Sequence, residues 1–136
     1  MEVLDILSES LENVRRARNI KPTDEIKTSA LRWELYASLQ NLLDGMAVII
    51  MGIGARQPSV YGELGTILRE HNILTADEEG YVKEIARVRS ILAHAYPRLR
   101  PEDLQAVIDN ILPLVEVIAS KLVSFVGKRP TEAESK

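Results

Sequence analysis

The sequence predicts an all-α protein: an up-and-down four-helix bundle with one additional short helix. Three observations carry this. Apolar residues recur at helical spacing along nearly the whole chain. Hydrophobic residues make up 46% of it while aromatics are only 4%, a balance of Leu, Ile, Val and Ala that suits helices packed on helices. The links between periodic segments are short, so successive helices run antiparallel. A length of 136 residues supports one core and is short for two. We expect a single domain over residues 1–127 and a flexible polar tail over 128–136.

The first helix is expected from about Glu2 to Arg18, with Val3, Ile6, Leu7, Leu11 and Val14 on one face. Arg15, Arg16 and Arg18 complement the dipole at its end. The second runs from Thr23 or Asp24 to Met51, with Thr23 as cap and Gly52 and Gly54 as stop. It carries two apolar stripes. One includes Ile26, Ala30, Trp33, Ala37, Leu42, Met46 and Ile49, and the other Leu31, Leu35, Leu39, Leu43 and Ile50. So wide an apolar surface implies more than one neighbour, from this chain or another. Ser59 caps a short third helix, from about Val60 to Glu70, which stops at His71-Asn72. Thr75 and Glu78 form a capping box for the fourth helix, which ends near Tyr96 because Pro97 follows. The fifth starts at Pro101, is kinked by Pro113 and stops at Gly127.

Several function classes are poorly served. There is no cysteine, which removes disulfides, thiolate metal sites and cysteine nucleophiles and fits a reducing compartment. No apolar run approaches the roughly 18 residues that span a bilayer, and the acidic, amphipathic N-terminus lacks the pattern of a signal peptide. We expect a cytoplasmic protein without a membrane partner. Gly52-Ile53-Gly54 is a helix stop without the strand that a phosphate loop needs. Glu70 and His71 are adjacent rather than three apart, so neither a metal nor any other cofactor is expected.

The net charge is -3, but it is unevenly spread. Between Tyr81 and Arg100, five bases (Lys83, Arg87, Arg89, Arg98, Arg100) face one acid, Glu84, so this segment carries +4 and the remainder -7. A basic patch on an acidic body can hold a phosphate chain. The plainer reading is a solvated helix face with arginines at its end.

Within that segment, Arg89 and His94 suggest chemistry. Imidazole exchanges a proton near neutral pH, and guanidinium is a permanent, planar partner for phosphate oxygens. Together they suffice for RNA cleavage in which the 2′-OH attacks the neighbouring phosphorus. Five residues correspond to about 140° around a helix, so the pair meets only if the helix loosens or a second chain completes the site. Arg87 shares a face with His94 but lies about 10 Å along the axis. The competing reading makes Arg89 a surface charge and His94 a helix-end residue stabilised by the dipole.

Arg89, His94 and Tyr96 in the pattern Arg-x4-His-x-Tyr resemble the signature of the HepT-like branch of the HEPN proteins. Pro58, Tyr61 and Leu68, the Asn72-Ile73-Leu74 lead into the next helix, and the long second helix with Asp44 are similar to that family's layout. The resemblance implies a HEPN-like bundle forming a two-fold homodimer. It implies an RNA-cleaving toxin with Arg89 and His94 catalytic, Arg87 and Ser90 supporting, and RNA rather than DNA as substrate. It also implies an MntA-like minimal nucleotidyltransferase antitoxin that adds AMP units to Tyr96. Ser90 stands where many members have Asn. Asp44 is a weaker carry-over. His71 reads as a helix-end residue, Tyr61 and Tyr81 as packing residues, and Trp33 as core or dimer seam. The alternatives are a catalytically silent helical module that binds a nucleotidyltransferase, and a plain dimeric scaffold.

Overall fold

The computed structural model describes residues 2–94 and 98–128. The expectations for Tyr96 and for the tail after Lys128 fall outside those residues. Among the described residues there are six helices and no strand: α1 (Val3–Arg18), α2 (Glu25–Gly52), α3 (Glu63–Glu70), α4 (Ala76–His94), α5 (Pro101–Asn110) and α6 (Leu112–Lys128).

α2 is the central element. Leu31, Leu35, Leu39, Leu42, Leu43, Met46 and Ile50 are sealed within the core, where α1, α4 and α6 cover them. By length and composition alone α2 would reach across a bilayer, but 56% of its most apolar window is buried inside the bundle. One of its two expected apolar stripes divides. Leu42, Met46 and Ile49 are buried, whereas Ile26 is 83% and Trp33 60% exposed. Trp33 is therefore not a core residue of this chain. Beside Trp33 stand Tyr36 of the same helix and Leu92 and Ala93 of α4, which leave most of the indole open.

The helix ends follow local chemistry. Asp24, not Thr23, caps α2, accepting from the Lys27 N–H at 2.9 Å. α2 ends in a Schellman turn: Gly54 takes φ 71°, and the Ala55 N–H reaches back to the Ile50 carbonyl. Asn72, at φ 60°, closes α3 in the same way, with the Ile73 N–H on the Leu68 carbonyl. α3 starts at Glu63, later than the expected Val60. Residues 60–62 form a tight turn in which Val60 O accepts from the Glu63 N–H and Tyr61 O from the Leu64 N–H, while Glu63 caps the Ser59 N–H. The Thr75–Glu78 capping box is present in both directions.

The expected fifth helix is two helices. Pro113 lacks the N–H that would bond Asp109, so regular pairing ends with Ile111 N–H on Val107 and restarts on the Ile111 carbonyl. Gly127 does not stop the second half, which continues through Lys128.

Two close helix contacts generate a mutational order. A Cβ on Gly65 would sit 2.8 Å from Val82 Cβ and 3.3 Å from the Glu79 carbonyl, so α3 and α4 approach only through glycine. A Cβ on Gly45 would meet Leu7 Cδ2 at 2.7 Å, the movable end of a side chain. Gly65→Ala is expected to cost about 1–3 kcal/mol in urea unfolding. Gly45→Ala is expected to cost less, because the Leu7 side-chain end can move aside whereas Val82 Cβ and the Glu79 carbonyl cannot; both glycines are helical, so the propensity gain of up to about 1 kcal/mol is common to the two. Equal losses would contradict this packing.

Glu78 gives a pH expectation. Burial raises its carboxyl, but hydrogen bonds from Lys121 Nζ (2.5 Å) and the Thr75 N–H (2.8 Å) outweigh burial and hold it below its ordinary range. A lowered folded-state value means that the stabilisation is full above the unfolded value and lost as pH falls through the folded one. Glu78→Gln is therefore expected to lower stability by about 1 kcal/mol at neutral pH and to converge on wild type in acid, as followed by thermal unfolding across pH.

Candidate active site

α4 presents the Arg-x4-His residues on different sides. Arg89 turns toward α2. Its Nε–H donates to Gln40 Oε1 at 2.7 Å and its Nη2 to the Tyr36 hydroxyl at 3.4 Å. The guanidinium carbon lies 4.9 Å from the Tyr61 ring centroid and 5.7 Å from that of Tyr36, within the range of cation–π attraction. A guanidinium has five N–H groups, so three of them meet no acceptor among the described residues.

His94 stands exposed on the last turn of α4, its Nδ1 2.8 Å from the Ser90 carbonyl. A carbonyl only accepts, so Nδ1 carries the proton. In the neutral ring, Nε2 is left as a bare lone pair facing outward. Ser90 thus contributes its backbone oxygen, while its residue is exposed. Within one chain Arg89 and His94 share no partner among the described residues: one is held by α2 and the loop before α3, the other by its own helix.

Arg87 is placed elsewhere. It pairs with Glu84, holding that carboxyl below its usual range, and lines a groove of about 340 Å³ between α4 and α5. This groove is larger than the hollow beside Tyr36, yet Arg89 does not line it. Lys83 pairs with Glu79 at 3.5 Å. The positive field at this end of the bundle therefore rests on Arg89, with Arg98 and Arg100 exposed on the segment that follows α4.

Asp44 does border the arrangement, accepting from Gln40 Nε2 at 2.8 Å. The same Nε2 donates to the Tyr61 hydroxyl at 3.0 Å. Sequence reasoning overlooked Tyr36 and Gln40 and read Tyr61 as packing. The available signal was the polar series Tyr36, Gln40, Asp44, spaced by four along one face of the helix. Trp33 tilts on Tyr36, with ring centroids 6.0 Å apart, and with Leu92 and Ala93 the two line a hollow of about 250 Å³ next to His94 in sequence. His71 caps the end of α3, as expected, with its N–H on the Ile67 carbonyl. Among the described residues no cluster of His, Asp or Glu has the geometry to hold a metal ion.

Comparison with known proteins assigns the chain to a family. The model of the family described as "Ribonuclease HepT-like" matches residues 2–122. No curated protein matches the chain. Three solved structures share the fold. A cytosolic protein of unknown function, YutE from Bacillus subtilis, superposes with a TM-score of 0.79 at 20% identity, covering 96% of this chain and 94% of that one. A tri-AMPylated HEPN toxin of Shewanella oneidensis, in complex with an MNT antitoxin, gives a TM-score of 0.78 at 15% identity, covering 91% and 99%. A toxin-antitoxin structure with AMP-PNP gives 0.78 at 14%, covering 90% and 97%. With the family match spanning most of its length, the chain belongs to the HepT-like ribonuclease family.

Proposed function

We propose that the chain is the toxin of a toxin–antitoxin pair, an endoribonuclease that works without a metal. The observation that carries this reading is the state of its two polar groups. Arg89 is oriented with three N–H groups unused among the described residues, and His94 is fixed in the tautomer that leaves Nε2 able to take a proton. The reaction transfers the 2′-OH proton to an imidazole as the 2′-oxygen bonds to phosphorus. The P–O5′ bond breaks, the 5′-oxygen takes up a proton, and a 2′,3′-cyclic phosphate remains. Arg89 meets the charge that builds on the phosphoryl oxygens. The route needs a 2′-OH, so RNA and not DNA is the substrate.

Because the two groups have different partners in one chain and positions five apart lie about 140° around a helix, the complete site is formed by a two-fold homodimer. There the arginine and histidine of paired copies flank one phosphate, and the second imidazole supplies the departing proton. A nucleotidyltransferase antitoxin of the MNT kind silences the toxin in the cytoplasm. It transfers AMP from ATP to the Tyr96 phenol with release of pyrophosphate, placing bulk and negative charge two residues from His94. The modified state of the Shewanella relative supports this part of the reading.

Incubation with total RNA in excess chelator tests the reaction. Wild type is expected to cleave, and His94→Ala and Arg89→Ala to lose about 10²–10⁴-fold. Cleavage that persists in either variant rejects the assignment. A folded wild type that never cleaves but binds the nucleotidyltransferase would instead support the silent module, a reading favoured by the separation of Arg89 from His94 within the chain. For the modification, the protein is weighed after incubation with ATP and the antitoxin. Mass is expected to rise in AMP steps for wild type and to stay constant for Tyr96→Phe.

A further inference from the structure

Gln40 has every hydrogen-bonding position of its amide in use. Oε1 accepts from Arg89 Nε (2.7 Å) and from the Tyr36 hydroxyl (3.3 Å). Nε2 donates to Asp44 Oδ1 (2.8 Å) and to the Tyr61 hydroxyl (3.0 Å). We infer that Gln40, itself oriented by Asp44, is the positioning residue that aims Arg89 at the phosphate; the inference rests on the ribonuclease reading above.

Two physical points carry it. First, the holder is neutral. A carboxylate at this position would fix the guanidinium equally well, but it would form a charge-assisted pair and cancel the field that a phosphate requires. An amide carbonyl supplies direction without that cancellation. Second, the amide has one permitted orientation. If it flipped, its NH2 would face the Arg89 N–H and its carbonyl would face the Asp44 carboxylate, donor against donor and acceptor against acceptor. Asp44 thus acts two steps from the phosphate: it sets the amide, the amide sets Nε, and three guanidinium N–H groups keep no acceptor among the described residues. The Tyr36 and Tyr61 rings hold the guanidinium beside the amide without competing for those N–H groups.

The test compares Arg89→Ala, Gln40→Glu, Gln40→Met, Asp44→Asn and Asp44→Leu with wild type. It measures kcat and KM on a short RNA and affinity for its 2′-O-methyl analogue, which cannot react by the internal route. Charge-neutral positioning predicts that Gln40→Glu is at least as damaging as Gln40→Met, each lowering kcat/KM by up to about 100-fold. A merely structural role predicts the reverse, because Gln40→Glu preserves shape and a hydrogen bond to Arg89. Asp44→Asn keeps an acceptor toward Gln40 and is expected to lose less than Asp44→Leu, which falls toward Gln40→Met. The Asp44 pair is exposed, and it decides the matter should a Gln40 variant fail to fold. The inference is overturned if Gln40→Glu is the milder change, if both Gln40 variants cleave like wild type, or if the two Asp44 variants are equally affected. Loss of cleavage in Arg89→Ala with normal Gln40 and Asp44 variants removes this inference and leaves the ribonuclease reading standing. Normal cleavage by Arg89→Ala removes both.

Discussion

Covering one long apolar helix governs the architecture. The buried leucines of α2 each contribute on the order of 1.5–3 kcal/mol when removed from water, and the other five helices all pack against α2. The polar groups inside that contact are satisfied in place. The Ser10 hydroxyl donates to the Ser38 carbonyl at 2.7 Å, and Asn13 joins Glu34 and Asn41 at 2.8 Å each. With so much of α2 enclosed, polar function is confined to the strip left beside α4. Tyr36, Gln40 and Asp44 stand on that strip.

The site therefore belongs to a seam between helices. α4 contributes a guanidinium that leans across to α2, and a few residues later an imidazole tied to its own backbone. Such a division separates two tasks. The neutral imidazole is oriented by a local i to i−4 contact that survives as long as the helix does. The cation is oriented by tertiary contacts from α2 and from the turn before α3. Small shifts of α4 against α2 would thus move the cation relative to its holders and leave the imidazole contact unchanged.

Much of this was legible in the chain itself. Helix positions, the Thr75–Glu78 box and the Asn72 stop follow from local propensity and capping chemistry, which act within a few residues. The motif on α4 was legible because its residue types are unusual together. What could not be read were quantities set by helix rotation. Apolar spacing put Trp33 with Met46, yet only the second is covered, because which side of α2 the neighbours take is a tertiary outcome. Gln40 and Tyr36 escaped notice for the same reason: an uncharged amide and a phenol acquire meaning only when Arg89 arrives from forty-nine residues away. Pro113 announces a disruption in the sequence itself. Its size was understated, since a missing N–H followed by a new set of bonds on Ile111 makes two helices of one.

The protein has a single tryptophan, and it lies open to solvent 6.0 Å from a tyrosine ring that in turn touches Arg89. Its indole emission is consequently an undivided optical signal. With no second tryptophan in the core to dilute it, any change in colour or intensity comes from that one face of α2. A drop of water displaced there, by a nucleobase or by another copy of the chain, would be visible without attaching a dye.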